Sequence, residues 1–207
     1  MSEIAPVTIA GKKGAVTVAA DEEAFKVDFS KISSLRPAFK HPTKPEAPLT
    51  VTAANASVLS DGAAALVLCS GKTAKAKGLT VRARVLGHAD HEQAPVWFTT
   101  APAKAIPKAL AKAGVKIEQV DKFEVNEAFS VVALANRKLL NIDPAKINVY
   151  GGAVSLGHPL GASGARIVVT LLSALKQEKV NGGSGIGVAG ICNGGGGASA
   201  IVIESLE

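Results

Sequence analysis

Two hydrophobic periods alternate along residues 49–207, and that alternation restricts the chain to a layered α/β architecture. Short apolar runs at Leu49 to Ala53, Ala63 to Ser70, Val81 to Gly87, Lys122 to Val125, Gly185 to Ile191 and Ala198 to Glu204 read as strands. Between them, Gly71 to Lys77, Ala101 to Gly114, Glu127 to about Leu140 and about Gly161 to Glu178 read as helices. In the last of these, Ile167, Val168, Leu171, Leu172 and Leu175 recur at i, i+3, i+4 spacing. Gly114 suits a helix C-terminus, and Asp143-Pro144 breaks the helix before it. Strands alternating with helices predict a sheet covered by helices, with a ligand site beyond the carboxyl ends of its strands. Hydrophobic residues make up 47% of the chain and aromatic residues only 4%, so Ala, Val, Leu and Ile must build that core.

Residues 1 to 48 differ from the rest. Short β-like runs, Pro6-Val-Thr-Ile and Ala15-Val-Thr-Val, mix with Lys-Lys-Gly, an acidic Asp-Glu-Glu and the Pro-rich His41-Pro-Thr-Lys-Pro-Glu-Ala-Pro. This predicts an excursion packed on another body rather than an independent fold. Two cysteines, Cys69 and Cys192, are too few for a disulfide framework and lack zinc-site spacing, which points to a reducing compartment. The first residues carry neither the uninterrupted apolar core of a signal peptide nor the acid-poor character of a transit peptide. No apolar run reaches the roughly 18 to 20 residues of a bilayer span, so no membrane role is expected. The net charge of +6 comes from basic residues scattered singly, with few aromatics for base stacking, which argues against nucleic acid. The same bias suits a ligand with several phosphates, such as a nucleotide-bearing thioester.

Three polar loops carry candidate chemistry. Asn126, in Phe123-Glu-Val-Asn-Glu-Ala-Phe-Ser130, closes an apolar strand; its amide could cap a following helix or aim a donor or bound water at a ligand oxygen. His158, in Gly157-His-Pro-Leu-Gly-Ala-Ser-Gly164, is held by glycines and a proline just before a long helix. The positive helix end would disfavour imidazolium and keep a neutral, hydrogen-bond-donating ring. Cys192 precedes Asn193 and four glycines, placing a thiol beside unobstructed backbone N–H groups; the alternative is a tight hairpin with Cys192 as a small hydrophobe. Cys69, in Ala-Leu-Val-Leu-Cys-Ser, has no such setting and reads as core.

Together, Asn126-Glu-Ala-Phe, Gly157-His158-Pro and Cys192-Asn-Gly-Gly-Gly-Gly resemble the three C-terminal signatures of the thiolase family, and Thr52-Ala-Ala-Asn-Ala-Ser57 and Asp61-Gly-Ala-Ala extend the likeness over the whole chain. The resemblance is closest to the biosynthetic, acetoacetyl-CoA-forming branch. It implies a thiolase-like layered α/β fold, a mixed β-sheet with helices packed on it, with 49–207 as C-terminal domain and 1–48 as part of the loop domain covering coenzyme A. It makes Cys192 the acid/base that moves a proton of acetyl-CoA. His158 Nε2 and a water held by Asn126 would bind the thioester enolate, and Gly194 N–H would serve a second oxyanion hole. Ser57, with Ala53 and Leu59, would hold the pantetheine arm, and Phe98 and Phe129 would line its tunnel. Some members bind potassium through backbone oxygens that match Ala53, Ala54, Ala56 and Val154. No tightly bound cofactor is implied; the coenzyme A thioester is substrate.

The departure is an absence. The family's acylated cysteine lies in a pattern around Cys-Gly-Ser-Gly, and nothing in the 207 residues matches it. The covalent step needs a thiolate within reach of the acyl carbonyl. The resemblance therefore implies an isolated chain inactive in acetyl transfer, a large exposed apolar face, and a need for an N-terminal half. It also implies a homo-oligomer, dimer or tetramer, when complete. A non-catalytic acyl-CoA-binding or assembly protein is the alternative, and an unrelated nucleotide-binding α/β domain a third. Ser-Leu-Glu is not the peroxisomal Ser-Lys-Leu signal, which leaves cytosol and mitochondrion as the expected compartments.

Overall fold

The computed structural model describes residues 3–41 and 43–207; Met1, Ser2 and Pro42, the last inside the Pro-rich stretch, lie outside the described residues. The chain begins with a two-stranded antiparallel ribbon, β1 (Val7–Gly11) and β2 (Gly14–Val18). Its residues are exposed throughout, as expected of an excursion without a core of its own. Short 3-10 turns follow at Glu23–Phe25, Phe29–Ser34 and Ala53–Asn55. The last is fixed by a reciprocal cap: Thr52 Oγ1 accepts from Ala54 N, and Asn55 Oδ1 accepts from Thr52 N.

After α1 (Gly71–Lys77), the body is one four-stranded sheet: β3 (Ala83–Glu92), β4 (Lys122–Val125), β5 (Ile186–Cys192) and β6 (Gly197–Ser205) in the order β3-β6-β5-β4. β6 is antiparallel to both neighbours, while β4 and β5 run parallel. The pleat divides the core. Phe123, Val125, Val188 and Val202 point to one face and pack with Ala105, Ile106, Ala109 and Leu110 of α2 (Pro102–Ala113) and Val132 of α3 (Ser130–Leu140). Ala189 and Ile203 point to the other and meet Ile167, Leu171 and Leu175 of α5 (Ser163–Val180). A single turn, α4 (Ala153–Leu156), precedes α5. The result is a three-layer α/β/α arrangement in which a buried Asn136 ties the α2–α3 layer: its Oδ1 accepts from Ala103 N and its Nδ2 donates to Thr99 O and Val132 O.

Several boundaries differ from the sequence reading. Residues 49–53 and 63–70 are not strands, because neither finds a neighbouring strand among the described residues; Val67 is 95% exposed. β3 runs on through His88 and Asp90 to Glu92, since it is the antiparallel edge of the sheet and one side can carry polar residues. The helix expected from Glu127 starts at Ser130, with Phe129 in extended conformation before it. No helix among the described residues is long and apolar enough to cross a membrane.

Candidate active site

Parallel pairing of β4 with β5 brings their carboxyl ends together: Val125 is in register with Gly190, and Asn126 N donates to Gly190 O at 2.9 Å. Asn126 thus leaves β4 beside the end of β5, where Cys192 sits. The third group arrives from the α4–α5 connection. His158 N donates to Val58 O at 2.8 Å, and Gly157 before it has φ +91°, a conformation glycine adopts without strain. Asn126 Nδ2 lies 3.3 Å from His158 Nε2, and the other ring nitrogen, Nδ1, lies 2.5 Å from Ser163 Oγ. Asn126 and Ser163 are wholly buried and His158 nearly so.

These elements enclose a cleft of about 600 Å³ lined by His158, Cys192, Gly194, Ser57, Leu59, Phe98 and Phe129, with Ile191, Asn193 and Ser199 beside the thiol. Phe129 stacks edge-on with Phe98, ring centres 6.5 Å apart, and with Phe39 at 5.6 Å, so residues 1–48 reach the site through a side chain the sequence reading did not single out. Ser57 is drawn to the same loop: its N and Oγ both donate to Ala128 O, at 3.0 and 2.9 Å. A more open hollow of about 380 Å³ lies between Ser60–Ala64 and Pro159–Ala162 and holds no thiol or imidazole.

The glycine run forms the β5–β6 turn. Asn193 Oδ1 accepts from Gly195 N and Gly197 N, and Asn193 O accepts from Gly196 N; these bonds leave out the amide of Gly194, which lines the cleft. Gly196 has φ +96°, and a Cβ there would strike the Gln93 carbonyl, so at this position glycine is a packing requirement. The hairpin and the site are therefore one structure.

Asn126 caps no helix, since α3 begins four residues later with Phe129 as its N-cap. Its side chain is committed to the imidazole. His158 is held below its ordinary pKa, as expected, but the first cause is burial and the second is the charge of Arg166; α5 starts only at Ser163. Cys192 is pushed up to about 11 by burial, which makes it a neutral thiol near pH 7. No hydrogen bond joins it to His158 among the described residues, so the imidazole does not activate it in this arrangement. Cys69, expected in the core, is exposed, because residues 63–70 lie unpaired.

Ala53 opens the 3-10 turn and does not line the cleft; Ala54 follows it, Ala56 bridges to Phe129, and Val154 lies on α4, where its N–H donates to Glu127 Oε2 at 3.4 Å. The four positions named for potassium thus sit on two separate segments. Among the described residues no group of three or more His, Cys, Asp or Glu side chains forms a metal cluster.

The two thiols should separate in a labelling experiment. With iodoacetamide near pH 7.5, Cys69 reacts first and Cys192 at least about tenfold more slowly, because the thiolate is the nucleophile and burial suppresses it. Peptide mass spectrometry over time reads this; equal rates would contradict the buried thiol.

A buried pair next to the site escaped the sequence reading. Glu124, two residues before Asn126 on β4, is 1% exposed, and its Oε2 lies 3.6 Å from Arg166 Nη1 on α5. Neither carboxylate oxygen accepts a hydrogen bond. A charged residue inside the short strand Lys122–Val125, on the side opposite Phe123 and Val125, was the available signal.

The family model described as thiolase, C-terminal domain, matches residues 79–205, and that described as thiolase, N-terminal domain, matches residues 1–72. The chain is 58% identical over 206 residues to acetyl-CoA acetyltransferase 2 of Arabidopsis thaliana, covering 99% of this chain and 49% of the relative. Its fold superposes on a Bacillus anthracis acetyl-CoA acetyltransferase with a TM-score of 0.87 at 40% identity, covering 98% of this chain and 49% of the other. A thiolase of Ascaris suum solved in complex with coenzyme A gives 0.82 at 42% identity, covering 97% and 49%. The chain spans about half the length of the curated relatives it matches.

Proposed function

The chain belongs to the thiolase family, and from that premise we propose that it carries the enolate-binding and proton-transferring part of an acetyl-CoA C-acetyltransferase. In this reading the assembled enzyme condenses two acetyl-CoA to acetoacetyl-CoA and runs the reverse thiolysis. The observation that supports it is the convergence of Asn126, His158 and Cys192 at the carboxyl ends of β4 and β5.

The roles follow from the environment of each group. Removing a proton from the methyl of a thioester puts negative charge on the carbonyl oxygen, and fixed donors in a dry site stabilise it. His158, buried and neutral, would donate from Nε2, together with a water held by Asn126 beside it. Cys192, on the facing strand end, exchanges the proton. Its raised pKa favours donation to the leaving carbanion in thiolysis; in condensation, a charge stabilised by the hole offsets the cost of forming the thiolate. Gly194 N–H would serve the acyl-enzyme intermediate. Leu59, Phe98 and Phe129 form an apolar wall for the pantetheine arm, and Ser57 would contact it. The relative solved with coenzyme A supports a thioester ligand. Backbone carbonyls of Ala53, Ala54, Ala56 and Val154 are hard oxygen donors of the kind potassium takes, and would hold it if the two segments close on one ion.

The nucleophilic cysteine would come from an N-terminal counterpart, which would also cover Val67, Leu68 and the α3 residues Leu134 and Leu139, all exposed here. Mixing the chain with such a counterpart and following loss of acetoacetyl-CoA with added CoA tests the proposal. Turnover that needs both chains supports it; coenzyme A binding without turnover would favour a binding protein instead.

A further inference from the structure

Ser163 is wholly buried, lies in the second polar loop but outside its Gly157-His158-Pro signature, and touches the imidazole at Nδ1. Its hydroxyl has one proton and two acceptors within reach: His158 Nδ1 at 2.5 Å and Pro159 O at 3.1 Å. The carbonyl is already served, accepting Ala162 N at 2.7 Å and Ser163 N at 2.9 Å, which occupies both of its lone pairs. Nδ1 is nearer and has no other donor. On the opposite side of the ring, Asn126 Oδ1 is buried without a hydrogen-bond partner while Nδ2 faces Nε2. A half-turn of that amide, which exchanges two nearly identical atoms, lets Oδ1 accept from an Nε2–H.

From these counts we infer that Ser163 is the positioning residue that sets the tautomer of His158: its hydroxyl donates to Nδ1, so the ring proton resides on Nε2 and faces Asn126 and the cleft. The opposite tautomer would put a proton on Nδ1, force the hydroxyl to become a third donor on Pro159 O, and leave Nε2 unable to stabilise an anion. Burial, and after it the charge of Arg166 three residues along the same helix, holds the ring below its ordinary pKa, so that one proton has to be placed. The consequence for catalysis rests on the acyltransferase reading; the tautomer itself does not.

Nitrogen-15 NMR of the imidazoles in the 207-residue chain tests it. The chain has four histidines, and His158→Gln identifies the signals of residue 158. The expected spectrum has pyrrole-type Nε2 and pyridine-type Nδ1 for His158. Ser163→Ala should lose this preference, with half or more of the population moving its proton to Nδ1, and Ser163→Thr, which keeps the hydroxyl, should restore it. Pyrrole-type Nδ1 in the unaltered chain overturns the inference even if no variant folds, and so does a Ser163→Ala spectrum like that of the unaltered chain. Thiolysis with an Nδ1–H ring would sink this inference alone, and an Nε2–H ring without thiolysis would sink the activity alone.

Discussion

His158→Ala and Cys192→Ala each lower acetoacetyl-CoA thiolysis by the assembled enzyme about a hundred- to ten-thousand-fold. Both side chains line the cleft in which, on the proposed reading, the carbanion and its oxygen charge develop, whereas Leu59, Phe98 and Phe129 supply its apolar surface. The loss should therefore fall on kcat with KM for acetoacetyl-CoA changed little. Phe98→Ala gives the opposite pattern, raising KM through lost contact with the pantetheine arm while sparing the proton transfer. Steady-state kinetics distinguishes the two; a His158→Ala enzyme within about threefold of the parent would remove the imidazole from the reaction.

The second large effect concerns stability. Glu124 and Arg166 are taken out of water but are 3.6 Å apart, and no hydrogen bond reaches the carboxylate. Desolvation then exceeds the attraction between them. Burial accordingly pushes Glu124 up to about 8 from 4.5, with Arg166 opposing and Glu127 adding to the rise. Because the folded carboxyl holds its proton more tightly than the unfolded one, its stabilising contribution is complete below about pH 4.5. It is lost as pH rises through about 8. Glu124→Gln should flatten this part of the pH profile and make the chain more stable than the parent above pH 8. Arg166→Leu removes the charge on α5 that opposes this rise, so at pH 10, where the parent carboxylate is ionised, it should cost up to about 3 kcal/mol, which Glu124→Gln in the same chain largely recovers. Urea unfolding at pH 5 and pH 10 reads both effects. Arg166→Leu as stable as the parent at pH 10 would mean the pair is solvated.

Much of the fold was legible because helix and sheet periods differ. The expected strands at 122–125, 185–191 and 198–204 lie within one residue of β4, β5 and β6 at each end, and the helix at 101–114 within one residue of α2. The failures have local causes. Leu49–Ala53 and Ala63–Ser70 have the composition of strands, yet a strand exists only when a neighbour accepts its hydrogen bonds, and pairing is not written in the segment itself. The onset of α3 was misplaced because Asn126 looks like a cap; its tertiary bond to His158 outweighs that local preference.

The site was legible as three separated polar loops, and the structure joins them through the parallel β4–β5 pair. What could not be read was the support behind them. Ser163 is an ordinary residue in a Gly-Ala-Ser-Gly stretch until Nδ1 is found against its hydroxyl. The neutral imidazole was expected from a helix terminus, but burial and Arg166 account for it, and both depend on which helix packs over which strand. Phe39 likewise reaches Phe129 across 90 positions of chain, a contact no periodicity announces.

Hydrogen exchange at the methyl group of acetyl-CoA in heavy water tests enolate formation in this cleft without requiring a complete catalytic cycle. With the N-terminal counterpart present, deuterium should enter acetyl-CoA well above the buffer rate and fall to near that rate in both Cys192→Ala and His158→Ala. Exchange at the buffer rate with the unaltered chains, or undiminished exchange without Cys192, would contradict a site in which amide, imidazole and thiol together move one proton and hold the charge it leaves.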